Sequence, residues 1–391
     1  MTEPSHGAAA HPDTTAITSG RTASGGSLAP VLFPSTAYEV ETVAEQAEMV
    51  ASARPDRLYS RFGSPTVRDL EAAVAELEGA EAALASSSGM GTVAAVLLGL
   101  CSSGDHVVAS RQIFSVTYGV LAMHLPRFGI DVTLVDGTDA DAIAAAVVPG
   151  RTQVVLVETP ANPALTLVDL DAVGSIAGPI TVVDSTFATP VVQRPLEHGV
   201  DLVLHSATKG IAGHNDALLG VVAGSAELID VLWGWQSAMG AMASPFDAWN
   251  ALRGIRTLPV RVARQADTAL RLARFLEEHP AVDSVSYPFL ESHPQHDLAR
   301  RQMAHGGTVV AFEVAGGAAG AAAFAERSRL GRIALSLGGP ETLLTHPATF
   351  AARYTPAERA ELGITDGLVR MSVGLEHPGD LEADLAHALA P

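Results

Sequence analysis

From about residue 60 onward, short β-branched runs alternate with Ala/Leu/Glu-rich segments of helical period. This alternation constrains the fold more than any other feature. The apolar runs lie at 106–110, 132–136, 154–158, 180–184, 202–205 and 218–223. Helix-like stretches, among them 67–77 and 92–101, fall between them. Strands that alternate with helices predict a mostly parallel sheet wrapped by helices, an α/β fold. Sites in such folds gather at the carboxyl ends of strands. Asp184 ends one run, and Lys209 lies just past the next.

A longer helical region is expected over 245–279, with apolar residues at Leu252, Ile255, Leu258, Val262 and Leu270. Beyond it, strands at 282–287, 308–314 and 368–373 mix with helices at 317–327 and 380–389, which reads as a smaller α+β domain. The expected organisation is an arm over 1–60, a large domain over 61–255 and a C-terminal domain over 256–391. Residues 1–28, rich in Ala, Ser, Thr and Gly, read as flexible. A net charge of −19 argues against nucleic acid or an anionic membrane as partner. The single cysteine, Cys101, lies in an apolar stretch and reads as a buried structural thiol. No run approaches the ~18 apolar residues of a membrane helix, and no basic-then-apolar leader is evident. The expected location is the cytoplasm, and no metal site is expected.

Lys209 is the only lysine, so the other 23 of the 24 Lys and Arg residues are arginines. A bias toward arginine explains most of that. The survivor stands where an arginine could not serve, because only a lysine amine can lose its proton and attack a carbonyl. Hydroxyls at Ser206 and Thr208 flank it. Upstream, Ser86-Ser87-Ser88-Gly89-Met90-Gly91 opens a helix-like segment, where backbone N–H groups and hydroxyls can cradle a phosphate. An Asp–Lys pair alone reads better as an ion pair, and a Ser/Gly cluster alone as an ordinary N-cap. Together they fit pyridoxal phosphate. The lysine would bond its aldehyde carbon, a carboxylate would keep its ring nitrogen protonated, and Phe114 would cover its ring.

The chain resembles the pyridoxal-phosphate enzymes of cysteine and methionine metabolism. That family includes cystathionine γ-synthase, cystathionine and methionine γ-lyases and O-acylhomoserine sulfhydrylases. Seven ordered segments carry the resemblance: 59–66, 88–90, 158–163, 183–190, 206–209 with 213–216, 336–339 and 368–374. The resemblance implies the fold-type-I (aspartate-aminotransferase-like) architecture. It implies Lys209 as attachment point and proton shuttle, and Asp184 as partner of the ring nitrogen. It implies Ser88, Gly89, Met90, Thr186, Ser206 and Thr208 around the cofactor, and Tyr59 and Arg61 donated to the phosphate by a neighbouring subunit. Arg370 would clamp the substrate α-carboxylate, assisted by Ser336, Leu337 and Asn162. A homo-oligomer, a tetramer built from two dimers, follows from the same resemblance.

Several departures bear on the reaction. Phe114 stands where most members carry a ring-stacking tyrosine, and it has no hydroxyl to move protons. This resembles the O-succinylhomoserine sulfhydrylase branch, as do Ser292-His293-Pro294-Gln295-His296 and Glu341-Thr342-Leu343. Gly213-His214-Asn215-Asp216 is more similar to the γ-synthases and lyases, and Val116 replaces the reactive cysteine of methionine γ-lyases. The leading expectation is γ-replacement on O-succinyl- or O-acetylhomoserine by sulfide or a small thiol, through a vinylglycine-type intermediate. The alternatives are γ- or β-elimination, or a specialised γ-substitution with another leaving group such as a sulfonium.

Overall fold

A computed structural model of the protein describes residues 10–351 and 354–390. Seven strands build the large sheet: β1 Ala82–Ser86, β2 His106–Ser110, β3 Asp131–Val135, β4 Thr152–Glu158, β5 Ile180–Asp184, β6 Leu202–His205 and β7 Gly220–Gly224. Their order is β1-β7-β6-β5-β4-β2-β3. Strands β2 to β6 pair in parallel, as the alternation predicts. Strand β7 is the exception and runs antiparallel to both β1 and β6. A parallel return would need a crossover helix. The link between β6 and β7 contains none, because it forms the Lys209 loop, so the chain folds straight back.

Each strand feeds two cores. In β4, Val154 and Leu156 join one apolar cluster while Val155 and Val157 join another across the sheet. Burial on both faces explains why these strands read as unbroken apolar runs. Each fully buried large aliphatic contributes about 1.5–3 kcal/mol. Strand β1 escapes sequence reading because Ala82-Ala83-Leu84-Ala85-Ser86 has weak strand propensity. Its burial overrides that propensity: Ala83 and Ala85 pack beneath the helix Pro65–Glu78, and Leu84 packs against Val96 and Leu97.

The expected long helical region is two helices, Pro245–Ile255 and Leu258–Glu277. Pro259 is tolerated only in the first turn of a helix, since its ring and missing N–H would break an interior. The chain therefore stops and restarts at Arg256-Thr257. The first of these helices packs in the cluster beneath β1, while the second reaches the core of the second sheet. That sheet holds β8 Val282–Ser286, β9 Val309–Val314, β10 Arg332–Ile333, β11 Leu343–Thr345 and β12 Leu368–Ser372, in the order β10-β11-β12-β9-β8. Strands β10 and β11 are too short to leave a periodic signal.

The N-terminal expectation needs correction. Residues Pro12–Thr18 form a helix, with Thr15 and Ala16 buried and Ala16 packed in the cluster beneath β1. A small residue at that point lets the helix approach Pro65–Glu78 closely, so residues 12–18 are docked. The rest of the predicted flexible segment up to residue 9 lies outside the described residues. Cys101 is buried as expected, and burial pushes its thiol up to about 12. Among the described residues no helix is long and apolar enough to cross a membrane.

Candidate active site

Two neighbouring parallel strands end in carboxylates at the same register: Glu158 on β4 faces Asp184 on β5. Both side chains are buried. Asp184 Oδ1 accepts from the backbone N–H and the hydroxyl of Thr186. Its other oxygen has no hydrogen-bond partner among the described residues. Burial raises the Asp184 carboxyl, and the two Thr186 bonds and nearby His205 only partly oppose this. A buried carboxylate left half-satisfied is costly unless a cationic donor completes it. The protonated ring nitrogen of pyridoxal phosphate is a donor of that kind.

Thr186 also ties this carboxylate to the lysine loop. Its hydroxyl accepts from Ser206 N–H at 2.8 Å, and the Ser206 carbonyl accepts from Lys209 N–H at 3.0 Å. Lys209 Nζ donates to Ser336 Oγ at 2.9 Å and has no carboxylate partner among the described residues. Burial and then the Arg370 charge lower its amine to about 8. A neutral amine is what carbonyl attack and proton abstraction both require. Ser336 is held near by close packing. Gly338, at φ +76°, lies so near that a Cβ there would come within 2.5 Å of Gly210 N. Ser336 itself has a φ of +125°, a conformation costing about 1–3 kcal/mol for a residue with a side chain.

The candidate phosphate cradle is the start of the helix Gly89–Leu100. Ser88 caps it, its hydroxyl accepting from Gly91 N–H at 3.0 Å. The N–H groups of Gly89 and Met90 have no helical partner and no other among the described residues, and neither has the hydroxyl of Ser206. The packing admits no side chain between these parts. A Cβ on Gly89 would stand 2.8 Å from Ser206 Cβ, and one on Gly220 would stand 2.5 Å from the Ser88 carbonyl. Unspent donors at a helix N-terminus fit a phosphate. Thr208 fits less well, since its hydroxyl donates to Leu219 O and accepts from Leu219 N–H, each at 3.0 Å. A phosphate contact there requires that pair to be exchanged.

Arg370, on β12, is buried beside Lys209. It donates to Asn162 Oδ1 at 2.9 Å, Ser336 O at 3.1 Å and Thr345 Oγ1 at 3.3 Å, and its guanidinium lies 5.8 Å from the Phe187 ring centroid. Burial lowers it to about 10, with Glu158 pulling the other way. Arg370 Nε is buried without a partner, which marks a cation held ready for an anionic ligand. Phe114 follows β2 and is half-exposed; its backbone N–H donates to Glu158 Oε2 at 2.7 Å.

Not every expected residue assembles within one chain. Tyr59 and Arg61 stay on the surface, with the Arg61 guanidinium over the rings of Tyr59 and Phe62, which meet edge-on. The Leu337 side chain is buried in an apolar cluster with Leu165 and Phe187, so only its backbone can face a substrate. Sequence reasoning gave no role to Glu158, although it ends an apolar run as Asp184 does, and that shared pattern could have found it. Phe187 and Thr345 carried no signal. Behind the site, His205 Nε2 bonds Glu78 Oε1 at 2.6 Å in full burial, a contact 127 residues apart in sequence. A separate cavity of about 1090 Å³, lined by His11, Arg194, Arg256 and Arg301, includes none of the site residues.

This architecture is that of the fold-type-I pyridoxal-phosphate enzymes. Residues 13–390 match the model of one family, described as Cys/Met metabolism PLP-dependent enzyme, and the chain belongs to it. It is 43% identical to O-succinylhomoserine sulfhydrylase of Pseudomonas aeruginosa over 97% of this chain and 95% of that one. It is also 43% identical to L-methionine gamma-lyase of Pseudomonas putida, over 93% of each chain. The crystal structure of metB from Corynebacterium glutamicum matches with a TM-score of 0.89 at 36% identity, covering 97% of this chain and 98% of that one. The protein is a pyridoxal-phosphate-dependent enzyme of sulfur-containing amino-acid metabolism.

Proposed function

We propose that the protein catalyses γ-replacement on an O-acylated homoserine, with sulfide or a small thiol as nucleophile. The observation that carries this reading is Phe114. The residue at the ring-covering position brings no hydroxyl, so within this chain it cannot protonate a leaving group. A carboxylate such as succinate, with a pKa near ~4, departs without an acid, whereas a thiolate, near ~8.5, gains from one. The ring-covering position therefore supplies no acid, which leaves Lys209, a neighbour's Tyr59 or water as proton donors and favours leaving groups that need none, acyl esters over thioethers. Similarity to a sulfhydrylase supports this reading, while equal similarity to a γ-lyase supports elimination as the second reading.

In this reading Lys209, Asp184, Phe114, Thr186 and the Ser88-Gly89-Met90 cradle with Ser206 hold the cofactor. Bound pyridoxal phosphate supplies an electron sink for the charge left when a proton leaves the amino acid's α-carbon. Arg370 receives the α-carboxylate, and Asn162 and Thr345 fix the plane of its guanidinium. Lys209 Nζ, about half neutral at pH 8 and steered by Ser336 Oγ, takes the α-proton and carries it onward. Burial of Arg370 and Asp184 keeps water from competing for the same charges. Product formed from O-succinyl- or O-acetylhomoserine only when sulfide is added supports replacement. Steady release of a 2-oxo acid without any thiol supports elimination, and no product from either ester sinks the proposal.

A homo-oligomer, at least a dimer and by resemblance a tetramer, belongs to the same proposal. The helix Val43–Ala51 buries no residue, and Leu28, Val43, Val50 and Tyr59 are exposed. Arg61 has no carboxylate partner among the described residues. A neighbour's phosphate would complete both. Mixing Lys209→Arg with Arg61→Ala subunits, each inactive alone, should restore about a quarter of wild-type turnover if the site is shared. No recovery after subunit exchange counts against sharing.

A further inference from the structure

We propose that Glu158 is a positioning residue whose single carboxylate sets the ring-covering Phe114 and the carboxylate clamp Arg370 in register with one another. The inference rests on the cofactor reading above and deepens it. Glu158 Oε2 accepts from Phe114 N–H at 2.7 Å, and Glu158 Oε1 accepts from Asn162 N–H at 2.8 Å. Asn162 in turn accepts from Arg370 Nη1 at 2.9 Å. One buried group therefore joins the loop after β2, the loop after β4 and, through Asn162, the strand β12.

The chemistry of the two bonds explains why an acid is needed. Both partners are donors, so both side-chain oxygens must accept. Only a carboxylate offers two equivalent acceptor oxygens. An amide would turn its NH₂ toward one of the N–H groups and lose that bond. The backbone supports the arrangement: Glu158 N–H donates to Ser110 Oγ at 3.3 Å and Thr159 N–H donates to Asp184 O at 3.1 Å, fixing the strand end between β2 and β5. Burial and then the neighbouring Asp184 charge raise the Glu158 carboxyl well above the ordinary carboxylate range, with the two N–H bonds and Arg370 opposing them only in part; what calls for acceptors at both oxygens is the geometry, two N–H donors within 2.8 Å. A side chain that gains nothing for the local core, yet is kept buried with both oxygens spent, is placed there by the geometry it imposes.

The test uses the holoenzyme and reads geometry as well as turnover. Glu158→Gln should keep the visible absorbance band of the cofactor while changing the sign or size of its circular dichroism, because the ring loses its fixed contact with Phe114. The apparent Kd for a carboxylate ligand of the substrate site should rise about tenfold. Glu158→Asp, charged but one methylene shorter, should fall between wild type and Glu158→Gln. A double-mutant cycle separates positioning from bulk stability: Phe114→Ala and Asn162→Ala should couple by about threefold or more in kcat/KM in the wild type and act independently in the Glu158→Gln background. Independence already in the wild type overturns the proposal, as does unchanged dichroism with unchanged Kd in both Glu158 variants. A wild-type protein lacking the visible band overturns the cofactor reading and this inference with it.

Discussion

The lowered basicity of Lys209 makes a prediction that can be worked in numbers. With its amine at about 8, roughly one molecule in ten is neutral at pH 7, against roughly one in a few thousand for an ordinary lysine. Capture of the cofactor aldehyde by the cofactor-free protein depends on the neutral amine, so it should be some two hundredfold faster than an exposed lysine would allow. Rapid mixing with pyridoxal phosphate, followed by visible absorbance between pH 6.5 and 10, reads this directly. The rate should climb about tenfold per pH unit at first, then level off above about pH 9. Arg370→Gln removes a cation that holds the amine down, so the midpoint should move upward. It should stay below the ordinary value, because burial is the larger cause. Stability carries the same signature. The folded pKa lies below the unfolded value, so the unfolded chain binds more protons between about 8 and 10.5, and the cofactor-free protein gains stability as pH rises through that window. Lys209→Met should relieve about 2 kcal/mol of strain at pH 7, after allowance for partial solvent screening, and almost none at pH 11. A capture rate still rising tenfold per unit at pH 10, or a Lys209→Met protein no more stable than wild type at pH 7, would refute the reasoning.

Two further substitutions test other parts of the site. Asp184→Asn keeps an oxygen to accept from Thr186 and removes a buried charge whose carboxyl is raised by burial. The raised acid loses stability as pH climbs through its titration, so above that range the cofactor-free variant should be more stable than wild type in denaturant titration. Turnover should fall at least a hundredfold, because the ring nitrogen loses its counter-charge. Gly220→Ala should weaken cofactor affinity about tenfold by fluorescence titration and cost about 1–3 kcal/mol. Its Cβ would meet Thr92 Oγ1 at 2.3 Å and Gly89 Cα at 2.7 Å and so displace the phosphate cradle. Unchanged affinity would show that the cradle does not hold the cofactor.

Much of this was legible before any coordinates, and the limits of legibility are physical. Strands β4, β5 and β6 announced themselves because burial on both faces leaves unbroken Val/Leu runs. Strand β1 did not, because alanine carries little strand signal and only packing against β7 makes it one. Asp184 and Lys209 could be singled out because an acid and an amine at strand ends suit one chemistry together. Glu158 ends its strand in the same way, yet its task is to accept two backbone N–H bonds from distant loops, which leaves no local pattern. Arg370 was reached only through the family resemblance, since one arginine near a strand carries no signal of its own, and its companions Thr345 and Phe187 come from other elements and meet it only in the fold. Residues 12–18 looked flexible because their composition is small and polar, while the surface that docks them lies some fifty residues further on.

The central claim, that one amine in this chain carries the cofactor, is open to an unusually direct measurement because the chain has one lysine. Borohydride reduction of the holoenzyme, followed by intact-protein mass spectrometry and peptide mapping, reads where the cofactor is bonded. The account predicts a mass increase of one reduced cofactor per chain, on the peptide containing Lys209, and none in a Lys209→Arg protein that still folds. An adduct that persists in Lys209→Arg, or no adduct in the wild type, would contradict it.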